Sequence, residues 1–484
     1  MDRQTDQHAN QHTATKHQLF INGEWTDAIA NGTYEKTNPF NGKPASTVAA
    51  GKREDAKRAI EAAAAAFPAW SSTAPAARRK LLLKAADILD RHQAEIARTT
   101  AEETGETFGW GMFNCIFASG LLREAAAQAH GLIGEIIPSD LPDTVAMATR
   151  QAVGVVVGIA RNAPMILGMR AVAIPIAYGN TVVLKASEES PGTHLAIAKV
   201  FEEAGFPKGV LNVITNAPAD AAEVVDELIA HPQTRRVNFT GSTKVGRIIA
   251  EKAGKYLKRI LLELGGKAPM IVLADADVDA AVAAANFGAF MNAGQICMST
   301  ERIVAEKPIA DAFAKKLAAK AGSLKVGDPL QPDTQIGSVI NKGAASRVQE
   351  LIDDAVAKGA KVLCGGRSDG NCYSPTVLFG VTPKMRIYGE ESFGPVVSVV
   401  VADTDEEALR IANDTEYGLS SAIFSRDVNK AMRFAERMQT GICHINGSTV
   451  HDEPHMPFGG KAALEEFTEL RWITIRRTPT HYPI

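Results

Sequence analysis

Apolar residues recur at helical spacing among Ala, Lys, Arg and Glu from Arg53 to Phe67 and from Ala77 to Thr100, which predicts two long surface-packed helices. A third helix is predicted from Thr107 to Leu132; glycines interrupt it, and it carries Trp110 and Phe113. Ahead of them, Leu19-Phe20-Ile21, Asn22-Gly23 and Glu24-Trp25 read as a hairpin, because Asn-Gly supplies the positive backbone angles of a tight turn. Ordered structure is expected to begin there.

Val145 to Ala160, rich in Val and Ala, reads as strands. From Asn180 the pattern becomes strand, helix, strand: Thr181 to Leu184, Thr193 to Ala204, Val210 to Ile214. A further unit follows, with helix Ala219 to Ile229, strand Arg236 to Phe239 and helix Val245 to Lys255. Right-handed crossovers of this kind build a parallel, twisted sheet. After Glu263 the rhythm repeats through Pro269 to Leu273, Val278 to Phe290, Arg302 to Ala305 and Ile309 to Ala321, then Ala345 to Lys358, Thr376 to Phe379, Val396 to Val401 and Thr404 to Asn413. A second α/β domain is predicted, with a short final strand at Arg471 to Arg477.

At 484 residues the chain exceeds one compact core, so two or three domains are expected. Its 52 basic residues are spread among 55 acidic ones with no basic stripe, which argues against a nucleic-acid partner. Cys115, Cys297, Cys364, Cys372 and Cys443 form an odd, irregularly spaced set, neither a disulfide framework nor a zinc site. His8, His12 and His17 stand in a Gln/Thr/Asn-rich leader that reads as a disordered tail, so no metal is expected. Met1 to Lys16 lacks the apolar core of a signal peptide and no later run is of membrane length; a soluble, cytoplasmic protein is expected, with no membrane partner.

Candidate chemistry centres on Cys297, in Asn292-Ala293-Gly294-Gln295-Ile296-Cys297, and on Glu263, in Glu263-Leu264-Gly265-Gly266-Lys267. A thiolate adds readily to a carbonyl carbon, and a carboxylate can later draw a proton from water to break the thioester. Small residues around both suit a site open to substrate and cofactor. A second cluster, Thr240-Gly241-Ser242-Thr243-Lys244-Val245-Gly246, lies between a strand and a helix, where free NH groups favour phosphate; a plain helix cap is the alternative for Ser242. Lys185 and Glu188 follow a strand at the end where α/β sheets bind ligands. Both can bond ribose hydroxyls, and a carboxylate there repels a 2′-phosphate, favouring NAD over NADP; a solvated loop charge is the alternative.

Taken together, Gly179 to Lys185, Phe239 to Thr243, Glu263 to Lys267, the Cys297 hexapeptide, Glu391-Ser392-Phe393-Gly394-Pro395 and Met456-Pro457-Phe458-Gly459-Gly460 resemble the aldehyde dehydrogenase superfamily. Within it the chain resembles the bacterial aromatic-aldehyde branch, of salicylaldehyde, vanillin and benzaldehyde type. The resemblance implies a Rossmann-type α/β cofactor domain, an α/β catalytic domain and a small β oligomerisation flap. It divides the chain into a disordered tail (1–17), an NAD-binding domain (18–136 and 156–263), a catalytic domain (264–463) and the flap (137–155 and 464–484). It makes Cys297 the nucleophile, Glu263 the general base and Asn162 the side-chain donor of an oxyanion hole. Gly241, Ser242, Gly246, Leu264, Glu391 and Phe393 join Lys185 and Glu188 in holding NAD, with Glu391 and Phe393 on the nicotinamide ribose.

Trp110, Phe113, Arg170 and Phe458 fall where such an enzyme lines its substrate tunnel, and an aromatic ring needs flat apolar walls. Arg170, eight residues after Asn162 and so about two helical turns away, is expected to recognise an oxygen substituent on the ring; a salt-bridged arginine is the alternative.

Two features depart from the family pattern. Ala160-Arg161-Asn162 stands where Pro-Trp-Asn is usual, one residue short, and Lys461-Ala462-Ala463-Leu464 runs straight into Glu465 where a Lys-x-Ser-Gly-x-Gly-Arg loop is usual, a loss of about ten residues. The resulting expectation is NAD-dependent oxidation of an aromatic aldehyde to the acid through a thiohemiacetal and a thioester, in a homodimer or homotetramer. A coenzyme A-acylating enzyme and a catalytically impaired or silent NAD-binding homologue are the alternatives.

Overall fold

The computed structural model describes residues 15–131, 133–161, 164–459, the backbone of 472–475, and 481–484. Two large sheets dominate. The first has seven strands in the order Arg259–Glu263, Thr234–Thr240, Val155–Ile159, Thr181–Lys185, Leu211–Ile214, Leu19–Ile21, Glu24–Thr26. Its first five strands are mutually parallel, and the Leu19–Ile21 hairpin adds antiparallel at the far edge. Asn22 and Gly23 take the positive φ values, 53° and 71°, that the hairpin turn requires. Val155–Ile159 and Thr181–Lys185 are buried along their whole length, as strands covered on both faces must be.

The second sheet has eight strands, with Thr376–Phe379, Val396–Ala402, Thr300–Glu306, Ala268–Val272, Ser420–Phe424, Ile442–Ile445 and Trp472–Ile475 all parallel to their neighbours and Lys361–Cys364 antiparallel at one edge. Apolar clusters fill both faces of each sheet. Chain order reverses between Val155–Ile159 and Thr234–Thr240 in the first sheet, and between Ala268–Val272 and Ser420–Phe424 in the second. Such reversals open a crevice at the strands' carboxyl ends.

Several expectations shift. Thr15–His17 is not tail but a strand pairing with Ser46 to Val48; His17 is buried, and burial with the nearby Lys199 holds its imidazole pKa down at about 4. Only residues 1–14 of the expected tail lie outside the described residues. The flap hairpin starts earlier than residue 137, since Glu135–Ile137 pairs with Ala146–Ala148, whereas Val155 already belongs to the seven-stranded sheet. Trp472–Ile475, expected with that hairpin, instead pairs parallel with Ile442–Ile445, because a short strand satisfies its backbone at whichever sheet edge is open to it. Pro164–Ala177, which shows no helical period because it is apolar nearly all round, is a helix.

Candidate active site

A cavity of about 1410 Å³ lies between the carboxyl ends of the first sheet's strands and the amino ends of the second's. One wall is built from tight backbone. The helix Val278–Phe290 ends in a turn, Met291–Gly294, in which Asn292, Ala293 and Gly294 all have positive φ (51°, 53° and 70°). A Cβ at Gly294 would collide with the Gly394 carbonyl, so glycine is required twice over. The Gln295 amide clamps the turn, donating to the Asn292 carbonyl at 3.2 Å and accepting from the Ile340 NH at 2.8 Å. Cys297 follows, half-buried at the cavity surface.

Facing it, Glu263 ends its strand and leads into Leu264-Gly265-Gly266. The Gly266 NH donates to Glu391 at 2.8 Å. A side chain on Gly265 would overlap the Glu391 carboxylate, and one on Gly266 would overlap the Cys297 carbonyl oxygen. The glycine pair thus lets three chain segments meet. Behind them Lys267 and Glu301 form a fully buried ion pair at 2.7 Å, and Glu301 also accepts the NH groups of Ser392 (3.0 and 2.9 Å) and Phe393 (3.0 Å). That carboxylate fixes the turn carrying Glu391 and Phe393, the latter at φ 49°.

Burial pushes the Cys297 thiol up to about 12, reinforced by Glu263, Glu391 and Asp452 and opposed by Arg170. Burial likewise raises Glu263 to about 7, with Arg170 lowering it and Asp452 raising it. Glu391 reaches about 7 through burial and the Glu301 charge. The arrangement is a protonated thiol beside a carboxylate able to take its proton near neutral pH, and pairs whose environments separate them in this way divide into acid and base.

The opposite wall is aromatic. The helix Phe108–Ala127 starts at Thr107, whose hydroxyl accepts the Trp110 NH at 3.3 Å. Trp110 stacks on Phe113 (centroids 4.9 Å apart) and Phe113 tilts against Phe117 at 5.9 Å. Arg170, on the helix Pro164–Ala177, lies 4.2 Å above the Phe458 ring and 5.9 Å from that of Phe117, and bonds Asp452 at 2.6 Å. Tyr482 stacks on Phe287 at 4.8 Å where the chain's last residues close part of the wall.

The sequence matches the aldehyde dehydrogenase family over residues 25–463. The chain belongs to that family. It is 54% identical to a vanillin dehydrogenase of Pseudomonas sp. strain HR199 (96% of this chain, 99% of that one) and 44% identical to a salicylaldehyde dehydrogenase of Pseudomonas sp. strain C18 (97% and 100%). Its fold superposes with a TM-score of 0.91 on the crystal structure of a salicylaldehyde dehydrogenase from Pseudomonas putida G7 complexed with salicylaldehyde, 44% identical over 97% of this chain and 100% of that one. It superposes at 0.89 on a betaine aldehyde dehydrogenase from Staphylococcus aureus in complex with NAD+, 34% identical over 93% of each.

In this aldehyde dehydrogenase the cavity gathers most of the residues singled out from sequence: Cys297, Gly241, Ser242, Leu264, Glu391 and Phe393, and across from them Trp110, Phe113, Arg170 and Phe458. Glu263 stands just behind the surface, close enough to raise the Cys297 thiol. Ser242 caps the helix Thr243–Lys255, accepting the Val245 NH at 3.4 Å. Three further residues do not line the cavity. Lys185 and Glu188 are joined in an ion pair, with Asn216 donating to Glu188 at 3.0 Å, and Gly246 packs on Leu264, where a side chain would not fit. Lys185 and Glu188 are thus not free loop charges, because burial makes each charge seek the nearer partner. Asn162 and the shortened segment after Gly460 lie outside the described residues.

Sequence reasoning missed Glu301, Asp452, Phe117 and Tyr482. For Glu301 there was a signal, an acidic residue at the head of a predicted strand four positions after Cys297; Asp452 had none.

Proposed function

We propose that this enzyme oxidises an aromatic aldehyde to the carboxylic acid with NAD. The observation that carries the reading is the cavity itself, in which stacked aromatic rings and Arg170 face Cys297, backed by Glu263. Relatives at 44–54% identity that bear the names vanillin and salicylaldehyde dehydrogenase support it. The residues fit a dinucleotide: the crevice at the first sheet's reversal point, the Ser242-capped helix end, and Glu391 and Phe393 held beside Cys297 are suited to its phosphates and nicotinamide ribose. When bound, the cofactor supplies a hydride acceptor.

The Cys297 sulfur attacks the carbonyl carbon while its proton passes to the Glu263 carboxylate. The Cys297 NH and, by the family resemblance, the Asn162 side chain are the proposed hydrogen-bond donors to the oxyanion. Loss of hydride leaves a thioester on Cys297. Glu263, having shed its first proton, takes another from water, which attacks the thioester carbon and releases the acid and the thiol. Arg170 offers N–H donors to an oxygen on the ring.

The exposed apolar residues Ile136, Leu141, Val145 and Met147 of the hairpin around Glu135–Ile137 suit contact with a second copy, and a homodimer or homotetramer is proposed. Among the described residues no helix is long and apolar enough to cross a membrane, and a cytoplasmic location is proposed.

The test is NADH formation by the purified protein with benzaldehyde, salicylaldehyde, vanillin and an aliphatic aldehyde, beside a Cys297→Ala control. Turnover of the aromatic substrates that disappears in the control is expected; NAD binding with no turnover of any aldehyde would overturn the reading.

A further inference from the structure

The Arg170–Asp452 pair joins residues 282 apart in sequence on the wall facing Cys297 and Glu263. Arg170 is gripped on three sides: by the Phe458 ring at 4.2 Å, by the Phe117 ring at 5.9 Å and by the Asp452 carboxylate at 2.6 Å. Both members are largely buried, with side chains 20% and 12% exposed. A guanidinium stacked on rings without a carboxylate would swing between rotamers and carry an uncompensated charge into the cavity. We propose that Asp452 is the positioning residue of this site, holding Arg170 against the Phe458 ring so that the two form a charge-balanced unit opposite Cys297 and Glu263.

The charged groups bearing on the catalytic pair are few. Arg170 favours the ionised forms of Cys297 and Glu263, and Asp452 opposes it at both; Glu391 adds its charge at Cys297. Burial raises the Asp452 carboxyl itself, opposed by Arg170, by the Glu453 backbone and by the nearby His451. Balance matters, because an unopposed Arg170 would draw Glu263 down towards an ordinary carboxylate, a weaker base. It also matters for recognition: a guanidinium pinned at one edge presents its remaining N–H donors in a fixed direction. That second consequence rests on the aromatic-substrate reading; the electrostatic one does not.

The experiment is the rate of Cys297 alkylation by iodoacetamide at pH 8, followed on the Cys297 peptide by mass spectrometry, in full-length protein and in Asp452→Asn, Asp452→Glu and the Arg170→Gln/Asp452→Asn double variant. Removing the Asp452 charge leaves Arg170 unopposed and lowers the thiol by about one pH unit, the small end of what one nearby full charge does. Since a less basic thiolate is also less nucleophilic, Asp452→Asn should react about threefold faster. The double variant, with both charges gone, should return near the parent rate, as should Asp452→Glu, which keeps the charge. An Asp452→Asn rate equal to the parent, or a double variant as fast as Asp452→Asn, overturns the proposal; the latter would mean that the substitution merely opens the pocket.

Where the enzyme turns over, the acid limb of its kcat profile should move down by about one pH unit in Asp452→Asn. The kcat/KM ratio of hydroxylated to plain benzaldehyde should fall about tenfold, the weight of one hydrogen bond to a charged donor. Alkylation that behaves as expected beside an unmoved ratio would remove the aromatic-oxygen reading and leave the pair's role standing.

Discussion

The two walls of the cavity solve different problems. Around Cys297 the chain is locked by backbone, with positive-φ residues, two glycines that admit no side chain, and the Lys267–Glu301 ion pair pinning the Glu391–Phe393 turn. Across from it the wall is assembled from side chains, rings with centroids 4.9 and 5.9 Å apart and one paired arginine among them. Backbone placed against backbone leaves no slack, so the reacting atoms are held where they must be. Rings against rings can repack, and a wall of that kind can change its substrate without disturbing the chemistry.

Substitutions on the locked wall should therefore be far costlier than on the aromatic one. The greatest loss is expected from Glu263→Gln, about 10²–10⁴-fold in kcat, the usual worth of a general base, and without a burst of NADH, because thiol activation and thioester hydrolysis both lose their base. The same change should stabilise the fold at high pH. Glu263 has a folded pKa of about 7 against 4.5 for the free side chain, so its contribution is intact below 4.5 and is lost as pH rises through 7. Glutamine has no such loss, and thermal unfolding at pH 8 should show a gain of about 2–3 kcal/mol over the parent. No gain at pH 8 would mean that Glu263 is better solvated than its burial implies.

Gly266→Ala tests the wall without touching a functional group. Its new methyl must displace the Cys297 carbonyl, and a shift of about 1 Å at the reacting sulfur costs on the order of 10²-fold in kcat/KM. Steady-state kinetics within tenfold of the parent would show that the wall yields. Lys267→Met leaves Glu301 charged and buried without its partner, and about 3–5 kcal/mol of stability should be lost in denaturant unfolding. Because Glu301 also holds the NH groups of Ser392 and Phe393, NAD affinity should fall with it.

What could be read from sequence follows the same division. The locked wall is written in short contiguous strings, Glu263 to Lys267 and Asn292 to Cys297, where glycines and special backbone angles leave a local mark. The helices of 19 and 30 residues that begin at Arg53 and Pro75 were equally legible, because each buries one stripe and shows its period. Ser420–Phe424 and Ile442–Ile445 were not: each is short and wholly buried, so no alternation remains to be seen. The aromatic wall gave up Trp110, Phe113, Arg170 and Phe458 only through family resemblance. Asp452 was invisible, since its meaning depends on a contact 282 residues away, and Lys185 and Glu188, correctly placed at a strand's end, turn to each other for reasons of burial that spacing does not reveal.

Phe113→Ala sharpens the comparison from the forgiving side. Phe113 is 43% exposed, and among the described residues it makes two ring contacts, with Trp110 and Phe117. Such pairs are worth about 0.5–1.5 kcal/mol each beyond their buried area. Stability should fall by roughly 1–2 kcal/mol, and kcat/KM for benzaldehyde by no more than about tenfold, carried in KM because the ring touches no reacting atom. A wider pocket should also admit bulkier ring substituents, so the ratio of vanillin to benzaldehyde turnover should rise. If kcat itself collapsed, the aromatic wall would have to be transmitting strain to Cys297, and the two walls would be one mechanical unit.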